Sequence, residues 1–422
     1  MVKLVKYLVR EGFEITVISP ELHSSSKIDK SSECVELQQI KRYTVSQSNW
    51  FNQFLLKRRN NAMSKDSASN LIKSKKNKSF SSTIKIWITR LIHLMYTLIR
   101  NMDWSRQVTS FIKHNNITKY DFVLSSYPSL GAHWAASIYA KNHKEVKWIA
   151  DFRDPVNYEM NSTRIGFFVY SFLQRRIVRK ANLVISISKG VLNKVLGRGE
   201  FANALVYNGY DSEDIPHITT NTTNQSLLSF SYVGSLYGGE RNIEVVFEVI
   251  RSLIKKQSAT INQFRFEYAG AEFKVLEQMA SKYKLESVLV NHGFVTREQS
   301  IKIQTSTDFV VVATWNTEKD QGILSGKIFE CFMLKKPVIV VINGDLAGSE
   351  LKEIVDDISA GFAIEDASQE FVEDKHKLEE FILASLSKKL LMGELKSSYN
   401  KKVEQFDYSN IVSDLSLILT KI

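Results

Sequence analysis

Apolar residues recur along this chain in two rhythms that alternate with each other. Near the start, Val2, Leu4, Val5, Leu8 and Val9 fall at helical spacing with Lys3, Lys6 and Arg10 between them. A strand pattern over 13–19 follows and stops at Pro20. From Tyr120 the alternation is regular. Short strand runs at 121–125, 147–150, 183–187 and 204–206 are separated by helical stretches at 130–140, 167–180 and 189–196. A second series has strands at 228–233, 264–268, 288–290, 309–312 and 338–342, with helices at 243–255, 273–284 and 298–305 and more helices from 342 to the end. Such a βαβα order predicts parallel sheets covered by helices on both faces. The five prolines, at 20, 128, 155, 216 and 337, all fall at element boundaries or in polar connections. A doubly wound unit ordinarily opens with a strand and a Gly-rich turn, whereas this chain reads as beginning inside its first βαβ unit.

The pattern divides the chain into an N-terminal domain over 1–211, a polar linker over 212–226, a second domain over 227–400 and a closing helical segment over 401–422. Residues 46–120 read as an insertion, whose basic loop and amphipathic helix fall within 46–105. The loop carries Lys57, Arg58, Arg59, Lys65, Lys73, Lys75, Lys76 and Lys78 against Asp66 alone. The helix after it places Ile84, Trp87, Ile88, Leu91, Leu94, Met95, Leu98 and Ile99 on one face. That face predicts a core contact, or else a membrane-surface element next to a basic loop.

Charge and cysteine content narrow the classes. With 422 residues and a net charge of +11, the chain suits a polyanionic or phosphorylated partner. The basic loop lacks interleaved aromatics and no binding module is visible, so nucleic acid is not expected. Two distant cysteines, Cys34 and Cys331, give no metal spacing and fit a reducing compartment. No run reaches the length needed to span a bilayer, so a cytoplasmic protein is expected, with peripheral contact on the inner face of the cell membrane.

Chemistry concentrates where strands end. Polar clusters at 125–128, 151–155, 208–211, 234–241 and 322–330 all follow predicted strands, and in open α/β sheets ligands bind there. The most informative is the last. A helix opening on Ser325 and Gly326 presents free N–H groups that favour phosphate, Lys327 adds a full charge, and Glu330 stands one turn on to accept from sugar or ribose hydroxyls. Pro337 and a buried strand follow, so the same residues also suit an ordinary helix-to-strand connection.

In order and spacing these clusters resemble the GT-B-fold glycosyltransferases of family 4, of the bacterial surface-polysaccharide type. The resemblance runs through Ser125-Ser126-Tyr127-Pro128, the run from Trp148 to Pro155, and Asn208-Gly209-Tyr210-Asp211. It continues in Tyr232-Val233-Gly234-Ser235-Leu236-Tyr237 with Arg241, in Tyr268-Ala269-Gly270, and in Gly326-Lys327, Glu330 and Pro337. It implies an α/β fold of two Rossmann-like doubly wound parallel-sheet domains facing a cleft, with the C-terminal helix crossing back to the first domain. It implies that Arg241 and Lys327 clamp the donor diphosphate, that Glu330 meets the donor ribose, and that Gly234, Tyr237 and Gly326 shape that site. It places Asp154 as the group that orients the acceptor hydroxyl, with Asp151, Arg153 and Asn208 around the substrate. Asp151 and Arg153 read equally as a structural pair capping a strand end, and Tyr237 as a brace for its loop. His133 reads as a packed side chain. The first of the family's paired glutamates falls at Gly322, a departure that leaves donor identity open, although a subset of the family keeps only the second.

The resulting expectation is a retaining, metal-independent glycosyltransferase of capsule or O-antigen assembly. It moves a hexosyl or N-acetylhexosaminyl group from a nucleoside-diphosphate sugar to a lipid-linked glycan, with no cofactor. Two alternatives stand beside it: a non-catalytic or N-terminally truncated homologue, and a sugar-nucleotide epimerase of the same fold.

Overall fold

The computed structural model describes residues 1–21, 35–53, 80–117, 120–127, 129–154, 164–197, 199, 201–215, 226–395 and 397–422. The basic loop at 57–78, the side chains of Ile84 and Trp87, Cys34, Pro128, Pro155 and the linker at 216–225 lie outside them. The chain divides into two compact units. The first comprises Met1–Ile187, Val191–Val206 and Leu415–Ile422; the second comprises Ser188–Gly190 and Tyr207–Asp414.

In chain order the first unit contains α1 (Val2–Arg10), β1 (Thr16–Pro20), β2 (Lys41–Val45), α2 (Phe80–His114), β3 (Phe122–Tyr127), α3 (Leu130–Asn142), β4 (Lys147–Phe152), α4 (Arg164–Val178), β5 (Leu183–Ser186), α5 (Lys189–Leu196) and β6 (Asn203–Leu205). β1 and β2 form a parallel pair, and β3 to β6 form a separate four-stranded parallel sheet in sequence order. Side chains bridge the starts of β1 and β3: the Thr16 hydroxyl lies 2.5 Å from Tyr120 Oη, and the Phe13 ring packs edge-on against Phe122. The core of this unit gathers Trp148, Ala150, Phe152 and Val184 from the sheet with Leu130 and Ala136 of α3, Tyr170 and Val178 of α4, and Val191 of α5.

The long helix α2 corrects one expectation. Its buried stripe runs through Leu94, Thr97, Asn101, Trp104 and Val108, and Trp104 donates to the Val45 carbonyl at 2.9 Å. Of the face read as either a core contact or a membrane-surface element, Ile88, Leu91, Met95 and Ile99 are exposed and Leu94 is buried, so the core reading of that face fails for those four. Apolar residues lie all around this helix, so periodicity alone could not choose the face, and the tertiary contacts of Trp104 and Asn101 did.

The second unit holds β7 (Leu228–Val233), α6 (Glu244–Lys255), β8 (Phe264–Ala269), α7 (Phe273–Ser281), β9 (Leu289–Asn291), α8 (Arg297–Ser306), β10 (Phe309–Trp315), α9 (Gly326–Leu334), β11 (Val338–Asn343), α10 (Glu350–Asp357), β12 (Gly361–Glu365) and α11 (Phe371–Met392). α12 (Tyr408–Leu419) ends the chain and its last residues group with the first unit. β12 stands where helices alone were expected after 342. The six strands are all parallel in the order β9-β8-β7-β10-β11-β12, which is the 3-2-1-4-5-6 order of a doubly wound sheet. Both faces are covered. Val311, Ala313, Ile339 and Val341 point into the core made with α6, α7 and α11, while Val310, Val312, Val338 and Val340 point into the core made with α9 and α10.

The order reverses between β7 and β10. Their ladder pairs only Phe309 with Phe230 and Val310 with Ser231, whereas β10 and β11 pair over six positions. The two strands are pinned at their starts by Asp308, which accepts from the Ser229 backbone and hydroxyl and from the fully buried Lys389 ammonium at 2.6 Å. Beyond those pairs the ladder ends, and the carboxyl ends of β7 and β10 flank the switch point where doubly wound sheets receive ligands.

Candidate functional site

Six of the residues predicted for ligand binding, Gly234, Tyr237 and Arg241 after β7 and Gly326, Lys327 and Glu330 after β10, lie at this switch point. Gly234 closes β7, and its carbonyl accepts from the Tyr268 hydroxyl at 3.2 Å. The loop over 235–239 is organised by one carboxylate. Glu272, at the N-cap of α7, accepts from the backbone N–H of Leu236 at 2.7 Å, Tyr237 at 3.2 Å and Gly238 at 2.7 Å, and from the Ser235 hydroxyl. The Ser235 hydroxyl and the Gly238 amide hold the Glu272 carboxyl below its ordinary value. Successive N–H groups in such a loop form an anion-binding concavity. Here the anion is the chain's own.

This fixed loop delivers Arg241. Its guanidinium lies 4.5 Å from the Tyr237 ring centre and 5.3 Å from that of Trp315, and the two rings meet edge to face. The guanidinium is therefore held by π faces rather than by an acid. Its Nε is buried with no hydrogen-bond partner among the described residues. Burial pushes the neighbouring Tyr232 phenol up to about 12, and the Arg241 charge pulls against that rise. The residue after it is tied down as well. Asn343, the last residue of β11, accepts from the Asn242 amide, donates to the Asn242 carbonyl and donates to Asp366, each at about 3 Å.

On the β10 side, Ser325 caps α9 and accepts from the Lys327 amide at 3.3 Å. Gly326 has open space beside it. The Lys327 ammonium lies 2.6 Å from Glu330 and 3.2 Å from the Ser300 hydroxyl of α8, so the predicted phosphate and ribose ligands are paired with each other. The Lys327 side chain keeps 35% of its surface exposed, so this ion pair is open to exchange.

Gly322 is where the family resemblance departs, and the geometry gives a reason. Its φ is +70°, and a Cβ there would stand 2.5 Å from Ser188 Oγ and 2.9 Å from the Gly190 backbone. No side chain, glutamate included, fits this position as the loop is folded.

In the first unit, the polar residues after the strands are mostly satisfied by one another. Asp151 is fully buried, accepts from Ser126 Oγ at 2.9 Å and is bridged by Arg153 Nε at 3.0 Å. Asp154 is only partly covered, and burial raises its carboxyl above the ordinary range. His133 is fully buried, 2.8 Å from Ser125 Oγ, which also accepts from Trp148 Nε1; burial lowers the imidazole to about 3 and keeps it neutral. Asn208 precedes Gly209 in a segment of the second unit pinned to the chain at 403–411, where a Cβ on Gly209 would fall 2.2 Å from the Phe406 carbonyl oxygen. Glu272, Trp315, Ser300 and Asn343 were not among the residues singled out from sequence.

Among the described residues no group of three or more His, Cys, Asp or Glu side chains is placed to hold a metal ion, and no helix is long and apolar enough to cross a membrane.

No protein-family model matches this chain. No curated protein matches it either. Solved structures do. A sucrose-phosphate synthase from Thermosynechococcus elongatus superposes with a TM-score of 0.59 at 12% identity, over 99% of this chain and 91% of that one. A trehalose-6-phosphate protein from E. coli bound with UDP-2-fluoro glucose gives 0.54 at 10% identity, over 100% and 95%. The lipopolysaccharide outer core galactosyltransferase WaaB, in its apo form, gives 0.51 at 12% identity, over 94% and 88%. The fold is GT-B, as the spacing of the polar clusters implied.

Proposed function

We propose that the chain is a glycosyltransferase that takes a sugar from a nucleoside-diphosphate donor and places it on a hydroxyl of a lipid-linked surface glycan. The observation that carries this reading is the switch point between β7 and β10. There an arginine fixed between two rings and a lysine–glutamate pair on the first turn of α9 stand at the ends of neighbouring strands. A departing diphosphate gathers negative charge, and two cations with a helix N-terminus answer that need. In this reading the Lys327 ammonium leaves Glu330 for a phosphate oxygen, and the freed carboxylate accepts from the ribose hydroxyls. The clamp asks for no metal. Asp154, whose raised carboxyl sits in the first unit, is assigned to orient the acceptor hydroxyl. Retention of configuration, family 4 membership, a role in capsule or O-antigen assembly and a place at the cytoplasmic membrane face belong to the same proposal. Two of the structures with this fold are, by name, a galactosyltransferase and a protein bound with a UDP-sugar analogue, which supports the donor class.

The test is calorimetric titration with UDP and GDP. Wild type is expected to bind one of them, and Lys327→Ala to weaken that binding by roughly 10- to 100-fold with the melting temperature unchanged. Equal affinity in the variant overturns the assignment.

Gly322 favours a second reading, in which the chain binds a nucleoside diphosphate without turning over a sugar. The crowding at this glycine leaves no room for the carboxylate that often stands near the donor sugar. Tight nucleotide binding with no transfer or donor hydrolysis across a panel of nucleotide sugars would select it.

A further inference from the structure

We propose that two exposed apolar faces of the first unit, that of α2 over 88–102 and that of α4 over 168–172, dock on an anionic phospholipid bilayer. The proposal rests on the reading of a lipid-linked acceptor for its purpose, and on the following geometry for its evidence.

α2 has two apolar faces. One is buried, as described above. The other carries Ile88, Leu91, Ile92, Met95, Ile99 and Met102, each between 38% and 57% exposed. Their spacing keeps them on one side of the helix over four turns, opposite the Trp104 stripe. A contiguous exposed apolar face of this kind marks an interaction surface. α4 repeats the feature. Phe168 is 74% exposed and Phe172, one turn later, 56%.

The two apolar segments lie at one end of the unit. Trp104 meets the end of β2, and Asn101 meets Ser129 and Gly131 just after β3, so the part of α2 before them lies at or beyond the strand ends. α4 follows β4 and returns the chain to the start of β5, so it begins at the same edge. That is the edge on which Asp154 stands, just after β4.

Charge selects the occupant. From Ile88 to the end of α2 there are Arg90, Arg100, Arg106 and Lys113 against Asp103 alone. From Phe168 to Lys180 there is no acid, while Arg175, Arg176, Arg179 and Lys180 supply four positive charges. Phe168, Phe172, Arg175, Arg176 and Arg179 share one line along α4 and, with Ser171, border a surface cavity of about 510 Å³. Ser171 Oγ has no hydrogen-bond partner among the described residues although the residue is 93% buried. Aromatic rings first and guanidinium groups a turn or two later match acyl chain and phosphate in the order a bilayer presents them. A second copy of the chain fits less well. A two-fold interface would bring these arginines against a surface that offers them one aspartate.

The experiment is flotation with vesicles of phosphatidylglycerol and phosphatidylcholine, set against phosphatidylcholine alone, at physiological salt. Wild type should float with the anionic vesicles only. Leu91→Gln with Met95→Gln, and separately Phe168→Ser with Phe172→Ser, should lower the partition coefficient by about tenfold or more. Arg175→Ala, Arg176→Ala and Arg179→Ala together should lower it by about a hundredfold. Melting temperature and UDP or GDP affinity serve as controls and should not move in the apolar variants. Three results overturn the proposal: wild type that ignores anionic vesicles, apolar variants that float as well as wild type, or variants that abolish a dimer seen in sedimentation while vesicle binding persists. Loss of nucleotide binding in wild type would sink the donor assignment without touching this one.

Discussion

The two units place similar residues at the ends of parallel strands and use them differently. In the first, the aspartate and arginine after β4 turn toward each other: Asp151 is wholly buried, with both oxygens committed to Ser126 and Arg153. In the second, the arginine after β7 is kept away from carboxylates. Glu272, whose carboxylate reaches this loop, is spent on backbone amides, and Arg241 is supported by rings instead. A charged group consumed by a neighbour stabilises the fold, while one held by π faces keeps its charge for something else. The lesson is that a polar cluster after a strand marks a place where a site can be built, and the partner of each charge tells whether one was.

That contrast predicts opposite outcomes for mutation in the two units. Asp151→Ala leaves the Arg153 guanidinium, itself 9% exposed, without its carboxylate. Truncating one partner of a buried ion pair costs about 3–5 kcal/mol, so this variant should unfold at markedly lower denaturant concentration. Its effect on nucleotide binding, measured under conditions where it is folded, should be nil. Should Asp151→Ala fold with wild-type stability, the Asp151–Arg153 pair is not structural and the contrast fails on its first side.

How much of this could be read from residues alone follows the same division. The helix that carries Lys327 and Glu330 was legible because Ser325, Gly326 and Pro337 punctuate it at both ends. The parallel sheet of the second unit was legible from five short apolar runs with helices between them, and its doubly wound arrangement was implied by the family resemblance. β12 was not, since Gly361-Phe362-Ala363-Ile364-Glu365 is too short and too mixed to outweigh the helical patterns around it. The fixing of Arg241 was not legible either. Glu272 reaches back over thirty residues to the amides it satisfies, and Trp315 lies on another strand, so both contacts exist only once the sheet has formed. The outward face of α2 was legible only as one of two alternatives, a core contact or a membrane-surface element, because apolar residues line the helix on both sides.

The aromatic support of Arg241 gives a smaller effect that sharpens the second half of the comparison. Trp315→Ala removes one of the two rings and leaves the loop pinned by Glu272 and Asn343. A cation–π contact at a half-buried site is worth roughly 0.5–2 kcal/mol, so nucleoside diphosphate affinity should fall by about 2- to 30-fold. The fall should be partly recovered by Trp315→Phe, which restores a ring face. Loss of affinity in Trp315→Phe equal to that in Trp315→Ala would show that the indole acts by some route other than holding the guanidinium.

The smallest effect is also the most specific to Glu272. Hydrogen bonds from Ser235, Gly238, Leu236 and Tyr237 stabilise its ionised form and lower its folded value below the ordinary carboxylate range. The sign then follows from linkage: stabilisation of the loop by this carboxylate is complete above the ordinary value and is lost as pH falls through the lowered one. Amide exchange at Gly238, followed from neutral pH downward, should therefore gain opening only in acid, after allowance for the intrinsic pH dependence of exchange. In Glu272→Gln the protection should be weaker at neutral pH and should no longer respond to acid in that range. The surrounding strand ends are held by Asn343 and by the Asp308–Lys389 pair, which the substitution leaves alone, so β7 and β10 amides should keep their protection. Were those strands to open together with Gly238, the carboxylate would be supporting the sheet itself, and the second unit would resemble the first in spending its acids on the fold.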